Sequence, residues 1–499
     1  MRNLLPVFWV AIVTSSCSQP SSSGRKPGEA DTLQGRMADA LPNWQNQDLQ
    51  SDGVFGISTE NAYDRLLKNK KATTVIVAVI DSGIDTAHED LSSVLWTDPV
   101  DGSHGRNYIL KEAGKEDFIP MLANKTNAPG YRKILEDYNF HVQRLEIFMN
   151  QLKESKKILE QIVQNIGKEN PSPEDLKLYR CRNEDEKRIL DLVLDRLPWY
   201  PDFARLQFCE ADHLLDLGQY HLEHGLNRIM TVQDTVQSAY AGGVNADISY
   251  DALGFTSDPN AGSEHGTHMS GIIAAVRNNG KGINGIADHV RIMMLKVSGN
   301  IREMRNEYLA PAIRFAVDHG ARVISMSFGK TFSLHRDAVD KAVQYAMSRD
   351  VLLVHSAGND GMDLDVDSNS FFPSAVYLDG GVAPAWITVG ASGYRDDSTL
   401  AASFSNYGRR TVDVFAPGVQ INSTIPHSRY VSWDGTSEAA PVVAGLAALI
   451  RSYYPLLSAV QVKEIIMKTV VRREVLKNKC ISGGVVNAYQ ALQLAAGYK

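Results

Sequence analysis

From Thr73 onward the chain switches between two hydrophobic patterns. Residues 73–80 form a continuous run rich in β-branched side chains, which predicts a strand buried on both faces of a parallel sheet. Residues 290–297, 321–328, 351–355, 385–389 and 412–415 predict further strands. Between and after them, residues 310–319, 338–348, 461–470 and 488–496 carry apolar side chains at helical spacing. Alternating strand and helix predicts an α/β fold, a doubly wound parallel sheet. Upstream, Ser58 to Lys68 reads as a short helix, with Ser58 as its cap and Ala62, Leu66 and Leu67 on one side.

Residues 105–240 break this alternation, being charged and helical. From Tyr131 to Gly167, apolar residues Leu145, Phe148, Leu152, Leu159, Ile162 and Ile166 fall on one helix face, and Gly167 is the expected stop. Ser172-Pro173-Glu174-Asp175 reads as a helix start, a capping serine followed by proline and acids, for a helix ending near Pro198. A third pattern runs from about Phe203 to Gly225. His221 and His224 within it are better read as two exposed histidines on one face than as a metal site, because no third ligand is in view.

Composition narrows the class. Apolar content of 43% and charged content of 22% are ordinary for a globular protein, and a net charge of -7 argues against nucleic acid as partner. No apolar run reaches the roughly 18 residues a spanning helix needs. Arg2, the apolar stretch from Leu4 to Val13 and the small residues Thr14-Ser15-Ser16 before Cys17 resemble a bacterial lipoprotein signal, although leucine is usual where Thr14 stands. The expectation is export to the cell envelope with a membrane anchor through lipid on Cys17. A plain secretory signal is the alternative. Cys181, Cys209 and Cys480 allow at most one internal disulfide, which excludes a disulfide scaffold; Cys181 with Cys209 is one open pairing. The expected division is a signal peptide (1–17), a tether (18–50), an α/β domain in two pieces (51–104 and 241–499) and a helical insertion (105–240).

Candidate chemistry lies where strands end and helices begin. Asp434-Gly435-Thr436-Ser437 is a tight turn into an Ala-rich apolar helix, which sets a serine hydroxyl and its N–H at a helix N-terminus that favours negative charge. Taken alone it is equally an ordinary serine-capped helix start. Asp81 follows the strand of residues 73–80, Asn359 follows that of 351–355, and either alone would be a common turn residue. His265-Gly266-Thr267-His268 opens a small-residue helix. Serine acyl transfer needs a nucleophile, a base, an acid to orient the base and donors for the oxyanion. Ser437, His265, Asp81 and Asn359 supply one candidate for each.

Together, Val79-Ile80-Asp81-Ser82-Gly83, His265-Gly266-Thr267-His268, Ser356-Ala357-Gly358-Asn359 and Gly435-Thr436-Ser437 resemble the motifs of subtilisin-like serine proteases, the subtilase family, in that family's order Asp, His, Ser. The resemblance covers roughly residues 70–95 and 245–495. It implies a subtilisin-like fold and a serine endopeptidase acting on extended protein or peptide substrates through an acyl-enzyme. Asp81 would orient His265, His265 would be general base and then acid, and Ser437 the nucleophile. The Asn359 side chain and Ser437 N–H would form the oxyanion hole. Ser298-Gly299 resembles the edge that pairs with substrate. Ser327-Phe328-Gly329 and Ser356-Ala357-Gly358 resemble the two walls of the pocket for the residue before the scissile bond. Phe372-Pro373 matches a position that is often cis. Residues 402–408, 416–418 and 483–488 match further family segments. No cofactor is needed for the chemistry; structural calcium is frequent in the family, but no acidic loop commits to it.

Three departures stand out. Asp81 and His265 lie 184 residues apart, with the helical insertion between them. Glu438 follows the nucleophile, where methionine is common, and its charge is expected to shift the pH profile or disfavour acidic substrates. Ser18 to about Ser51 is too short for the usual inhibitory propeptide domain, so the insertion is expected to cover the site or assist folding. Lys330 and Asp360, just beyond the pocket walls, could bias specificity in opposite directions or simply be solvated. The rival reading is a catalytically silent subtilase scaffold that displays the insertion as a binding module; the complete set of four residues argues against it.

Overall fold

The computed structural model describes residues 43–108, 149–150, 152–197, 203, 244–245, 262–298, 306–330, 333, 336–366, 369 and 371–498. Its strands are β1 (Val75–Asp81), β2 (Gly105–Asn107), β3 (Val244–Asn245), β4 (Val290–Lys296), β5 (Ala321–Met326), β6 (Leu352–Ser356), β7 (Trp386–Ser392), β8 (Val414–Pro417), β9 (Ile421–Ile425), β10 (Arg429–Trp433), β11 (Val471–Arg472) and β12 (Gly484–Val485). Ten of them form one sheet in the order β11-β12-β8-β7-β6-β5-β1-β4-β2-β3, parallel except for the outermost pair at each edge. The main helices are α1 (Glu264–Ala274), α2 (Asn306–Asp318), α3 (Arg336–Ser348), α4 (Thr436–Tyr453), α5 (Ala459–Lys468) and α6 (Ala488–Ala495).

The β-branched run of β1 is explained by its position. It pairs with β4 on one side and β5 on the other. Successive side chains of a strand point to opposite faces. Val75, Val77 and Val79 accordingly join one core with α1, α4, α5 and α6, while Ala78 and Ile80 join a second core with α2 and α3. This is the doubly wound α/β fold expected from the pattern. The strand order reverses at β1, with β4 on one flank and β5 to β8 on the other. In such sheets the crevice beyond the strands' carboxyl ends at the reversal is where sites form.

The structure corrects several expectations. Residues 43–50, read as the end of a tether, belong to the folded body. Trp44 is buried in the core, edge-on to Tyr394, and its indole N–H donates to the Val419 carbonyl. Ser58 does begin a short helix (Thr59–Ala62, then a π-turn over Tyr63–Leu67), but its side chain does not cap it. Its backbone is left-handed at φ 62°, and its hydroxyl donates to Asp48 and accepts from Asn487. Residues 105–107, read as the start of the insertion, form β2 and extend the sheet beside β4. The antiparallel hairpin β9–β10 was not expected at all. Its turn places His427 and Ser428 at positive φ, and neither residue type announces a hairpin as Asn-Gly does.

The described residues of the helical segment pack about a core of their own. Residues 152–166 are helical, and Gly167 ends the run in a left-handed conformation. The next helix is split in two, Pro173–Leu178 and Glu184–Arg196. Ser172 caps the first with a reciprocal bond to Asp175; Asn183 caps the second, and the Glu186 carboxylate holds the break by accepting from Tyr179 and from the Arg182 N–H. Leu159, Ile162, Leu176, Ile189, Leu190, Val193, Leu197 and Phe203 make that core. Leu145, Phe148, His221, His224, Cys209 and the rest of the third helical pattern lie outside the described residues, as do Cys17 and the signal-like stretch. Cys181 and Cys480 carry free thiols.

Helix α4 is buried almost all round and packs beneath β5, β6 and β7. Leu446→Ala, at its fully buried middle, is expected to cost about 2–5 kcal/mol, read as a lower denaturant midpoint with an unchanged slope.

Candidate active site

β1 delivers Asp81 at its carboxyl end, and α1 delivers His265 in its first turn. The helix reaches Asp81 because its next residue is glycine. A Cβ at Gly266 would overlap the Gly83 carbonyl oxygen, so only glycine lets α1 abut the loop after β1. The Gly266 N–H donates to Ser82 Oγ at 3.2 Å, which fastens the contact. His265 Nδ1 and Asp81 Oδ1 are 2.7 Å apart, and the Ser82 N–H donates to the same oxygen at 2.7 Å. A carboxylate oxygen only accepts, so the neutral His265 ring keeps its proton on Nδ1 and presents a lone pair on Nε2. Burial disfavours the charged ring, but the charge and hydrogen bond of buried Asp81, with a smaller contribution from Glu438, outweigh it and push His265 up to about 9.

Ser437 lies in the first turn of α4. Its Oγ donates to the Ser327 carbonyl at 3.1 Å, and Ser327 Oγ donates in return to the Ser437 carbonyl at 2.8 Å. That carbonyl needs an outside partner because Pro441, four residues on, has no N–H to offer it. Asn359, just past β6, performs two tasks. Its Oδ1 accepts from the Thr436 N–H at 2.8 Å and from Thr436 Oγ1 at 2.7 Å, capping α4. With Oδ1 so engaged, the amide nitrogen must turn outward, toward Gly435. A Cβ at Gly435 would lie 3.2 Å from Asn359 Nδ2 and 3.5 Å from Ser437 N. Two N–H donors thus flank one small volume beside the nucleophile, as an oxyanion hole requires.

The two segments expected to be pocket walls follow the central strands. Ser327-Phe328-Gly329 follows β5, and Ser356-Ala357-Gly358 ends β6 and leads to Asn359. Asn406 braces the second wall by donating to the Ala357 carbonyl and accepting from the Asp360 and Met362 N–H groups. A residue missed in the sequence lies between the walls: the Phe371 ring sits against both Gly329 and Gly358, in the space their side chains would take. Its only signal was its place before Phe372-Pro373, which is cis. Lys330 bridges Phe372 through the backbone. Ser298 is half-buried just past β4; Gly299 lies outside the described residues.

The β9–β10 hairpin adds a third missed component. Ser423 and Thr424 hydroxyls donate to the His268 and Thr267 carbonyls, which clamps α1. Trp433, the last residue of β10, stacks on His268 at 4.3 Å and lies beside His265 at 6.4 Å. Glu438 is buried next to them, with Oε1 3.7 Å from His268 Nδ1. Among the described residues, no group of three or more His, Cys, Asp or Glu side chains is placed to hold a metal ion. Asp365, the nearest thing to a cation ligand in the acidic 360–369 loop, already accepts from the Arg410 N–H and Thr411 Oγ1.

The family model described as Subtilase family matches residues 72–491. A thermophilic serine proteinase from a Bacillus species is 40% identical over 203 residues, 41% of this chain and 46% of its own length. Thermitase from Thermoactinomyces vulgaris is 36% identical over 251 residues, 49% of this chain and 80% of its own. Subtilisin BL from Lederbergia lenta is 36% identical over 228 residues, 46% of this chain and 74% of its own. The chain therefore spans about half the length of the first of these relatives. With most of its residues inside the matched model, the chain belongs to the subtilase family.

Proposed function

We propose that the chain is a serine endopeptidase that cleaves extended polypeptide through an acyl-enzyme on Ser437. The observation that carries this reading is the 2.7 Å bond between Asp81 and His265, with Ser437 in the first turn of α4 and the residue after it, Glu438, close enough to His265 for their charges to interact. In the resting site the Ser437 hydroxyl points to the Ser327 carbonyl. On substrate entry it rotates to His265 Nε2 and attacks the scissile carbonyl carbon as its proton passes to that nitrogen. Asp81 stabilises the resulting imidazolium. The carbonyl oxygen, now negative, takes hydrogen bonds from Asn359 Nδ2 and Ser437 N–H. The His265 proton then goes to the leaving amine, and a water activated by the same ring hydrolyses the acyl-serine.

The Phe371 ring between the two walls leaves little depth for the side chain before the scissile bond. The reading therefore includes a preference for substrates with a small residue, alanine or glycine, at that position.

Ser437→Ala is expected to abolish hydrolysis of a peptide p-nitroanilide, and Asp81→Asn to lower kcat by about 10⁴-fold with little change in KM. Activity retained in Ser437→Ala would overturn the reading. Phe371→Gly is expected to raise kcat/KM for a phenylalanine substrate at least ~10-fold relative to an alanine substrate, measured by competition between the two. An unchanged ratio would show that Phe371 does not set the pocket.

A further inference from the structure

Glu438 occupies a position where a charge is hard to keep. Its side chain is only 3% exposed, and among the described residues the basic group within ion-pair reach is His268. His268 is itself fully buried, stacked on Trp433, with Nε2 3.0 Å from the Val431 carbonyl. A carbonyl only accepts, so the His268 proton is on Nε2 and Nδ1 carries a bare lone pair. That lone pair has no hydrogen-bond partner and faces Glu438 Oε1 at 3.7 Å. An ionised carboxylate there would set lone pair against lone pair in a dry site. A protonated one would present a hydrogen. The second carboxyl oxygen is turned the other way. A Cβ at Gly435 would lie 2.5 Å from Glu438 Oε2, beside the same volume that Asn359 Nδ2 and Ser437 N flank.

Given the peptidase chemistry proposed above, on which this rests, we propose that Glu438 works as a neutral carboxylic acid that keeps its proton on the side facing the His268 Nδ1 lone pair, 3.7 Å away. Loss of that proton to solvent places a negative charge beside the oxyanion hole and stops the reaction.

The surrounding charges agree. Burial pushes the Glu438 carboxyl up to about 7, against the pull of His265 on α1 and of Glu438's own backbone N–H, and with help from Asp434 in the turn before α4 and Asp81 on β1. Burial brings His268 down to about 3; the charge of His265 adds to this, and the Val431 and Ile421 carbonyls oppose it. His268 therefore does not take the proton as a cation. His265 and Glu438 titrate as a coupled pair. The reactive arrangement holds one proton on Glu438 and leaves His265 Nε2 free to accept another from Ser437. A further proton charges His265 and removes the base. One proton fewer charges Glu438 and opposes the oxyanion. The pH dependence of kcat/KM is then bell-shaped; with His265 at about 9 and Glu438 at about 7, the reactive arrangement is the minor of the two one-proton forms, and the two limbs belong to the pair and not to either residue.

The test is the pH profile of kcat/KM for the full-length protein, Glu438→Gln and Glu438→Met on one peptide p-nitroanilide. Glutamine keeps the shape and can still present a hydrogen to His268, but it cannot ionise. The parent should lose at least ~10-fold activity per pH unit or two above its optimum, whereas both variants should rise to a plateau. A descending limb that persists unchanged in the variants overturns the proposal, since it would then belong to another group. Lys296 is one such group: it is buried opposite Asp81 at the end of β4, and burial pulls it down to about 8 despite Glu264. A parent that plateaus without any fall overturns it equally. Should the variants not fold, affinity of the parent for a peptidyl boronate, whose serine adduct is an anionic tetrahedron, replaces them. It should weaken at least ~10-fold over the falling limb while a non-covalent peptide inhibitor is unaffected, and parallel behaviour of the two overturns the proposal. A folded parent with no hydrolysis at any pH would instead refute the peptidase reading itself.

Discussion

The site depends on where one helix begins. The first turn of α4 is driven in beneath the carboxyl ends of β5 and β6, and its unpaired N–H groups must be satisfied in a buried place. Asn359 does this by capping Thr436, and Ser327 takes over the carbonyl that Pro441 leaves open. The cap fixes the Asn359 amide. Its nitrogen and the Ser437 nitrogen then flank the same volume beside Gly435. In the function proposed, the contact that satisfies the helix terminus also builds the oxyanion hole. The parallel register of β1, β4 and β5 supplies the frame, and Gly266 brings α1 close enough for His265 to meet Asp81.

Much of this was legible because the informative segments are short and local. The run of residues 73–80 announces a central strand, since only a strand covered on both faces tolerates continuous β-branched residues. Asp81, His265, Asn359 and Ser437 each sit at a junction between strand or turn and helix, and the family resemblance assigned their roles. The structure brings Asp81 to His265 and seats Asn359 against the first turn of α4 that carries Ser437. What the sequence hid depends on distant partners. Trp44 looked like part of a polar tether, yet its core contacts lie more than three hundred residues away. The β9–β10 hairpin turns on His427 and Ser428, whose positive φ is held by tertiary contacts such as the His427 N–H to Asp85, and not by turn chemistry. Phe371 could be recognised as a pocket residue only once its ring was seen against Gly329 and Gly358.

Two positions adapt a common scaffold to this chain. The Phe371 ring fills the space beside Gly329 and Gly358, and Glu438 sets a buried acid beside His268. Both act by burial. An aromatic ring takes up volume, and a carboxyl far from solvent holds its proton. The hairpin residue Trp433 covers His268 and flanks His265. On the neutral-acid proposal, the charge that the sequence suggests near the oxyanion is a masked one.

The central claim is that Ser437 is an activated nucleophile. Treating purified, folded protein with a fluorophosphonate probe, followed by intact mass and peptide mapping, tests it most directly. The account predicts a single adduct on the peptide containing Ser437, absent from Ser437→Ala and strongly reduced in Asp81→Asn. Folded protein that stays unlabelled, or that carries the adduct on another serine, would contradict it.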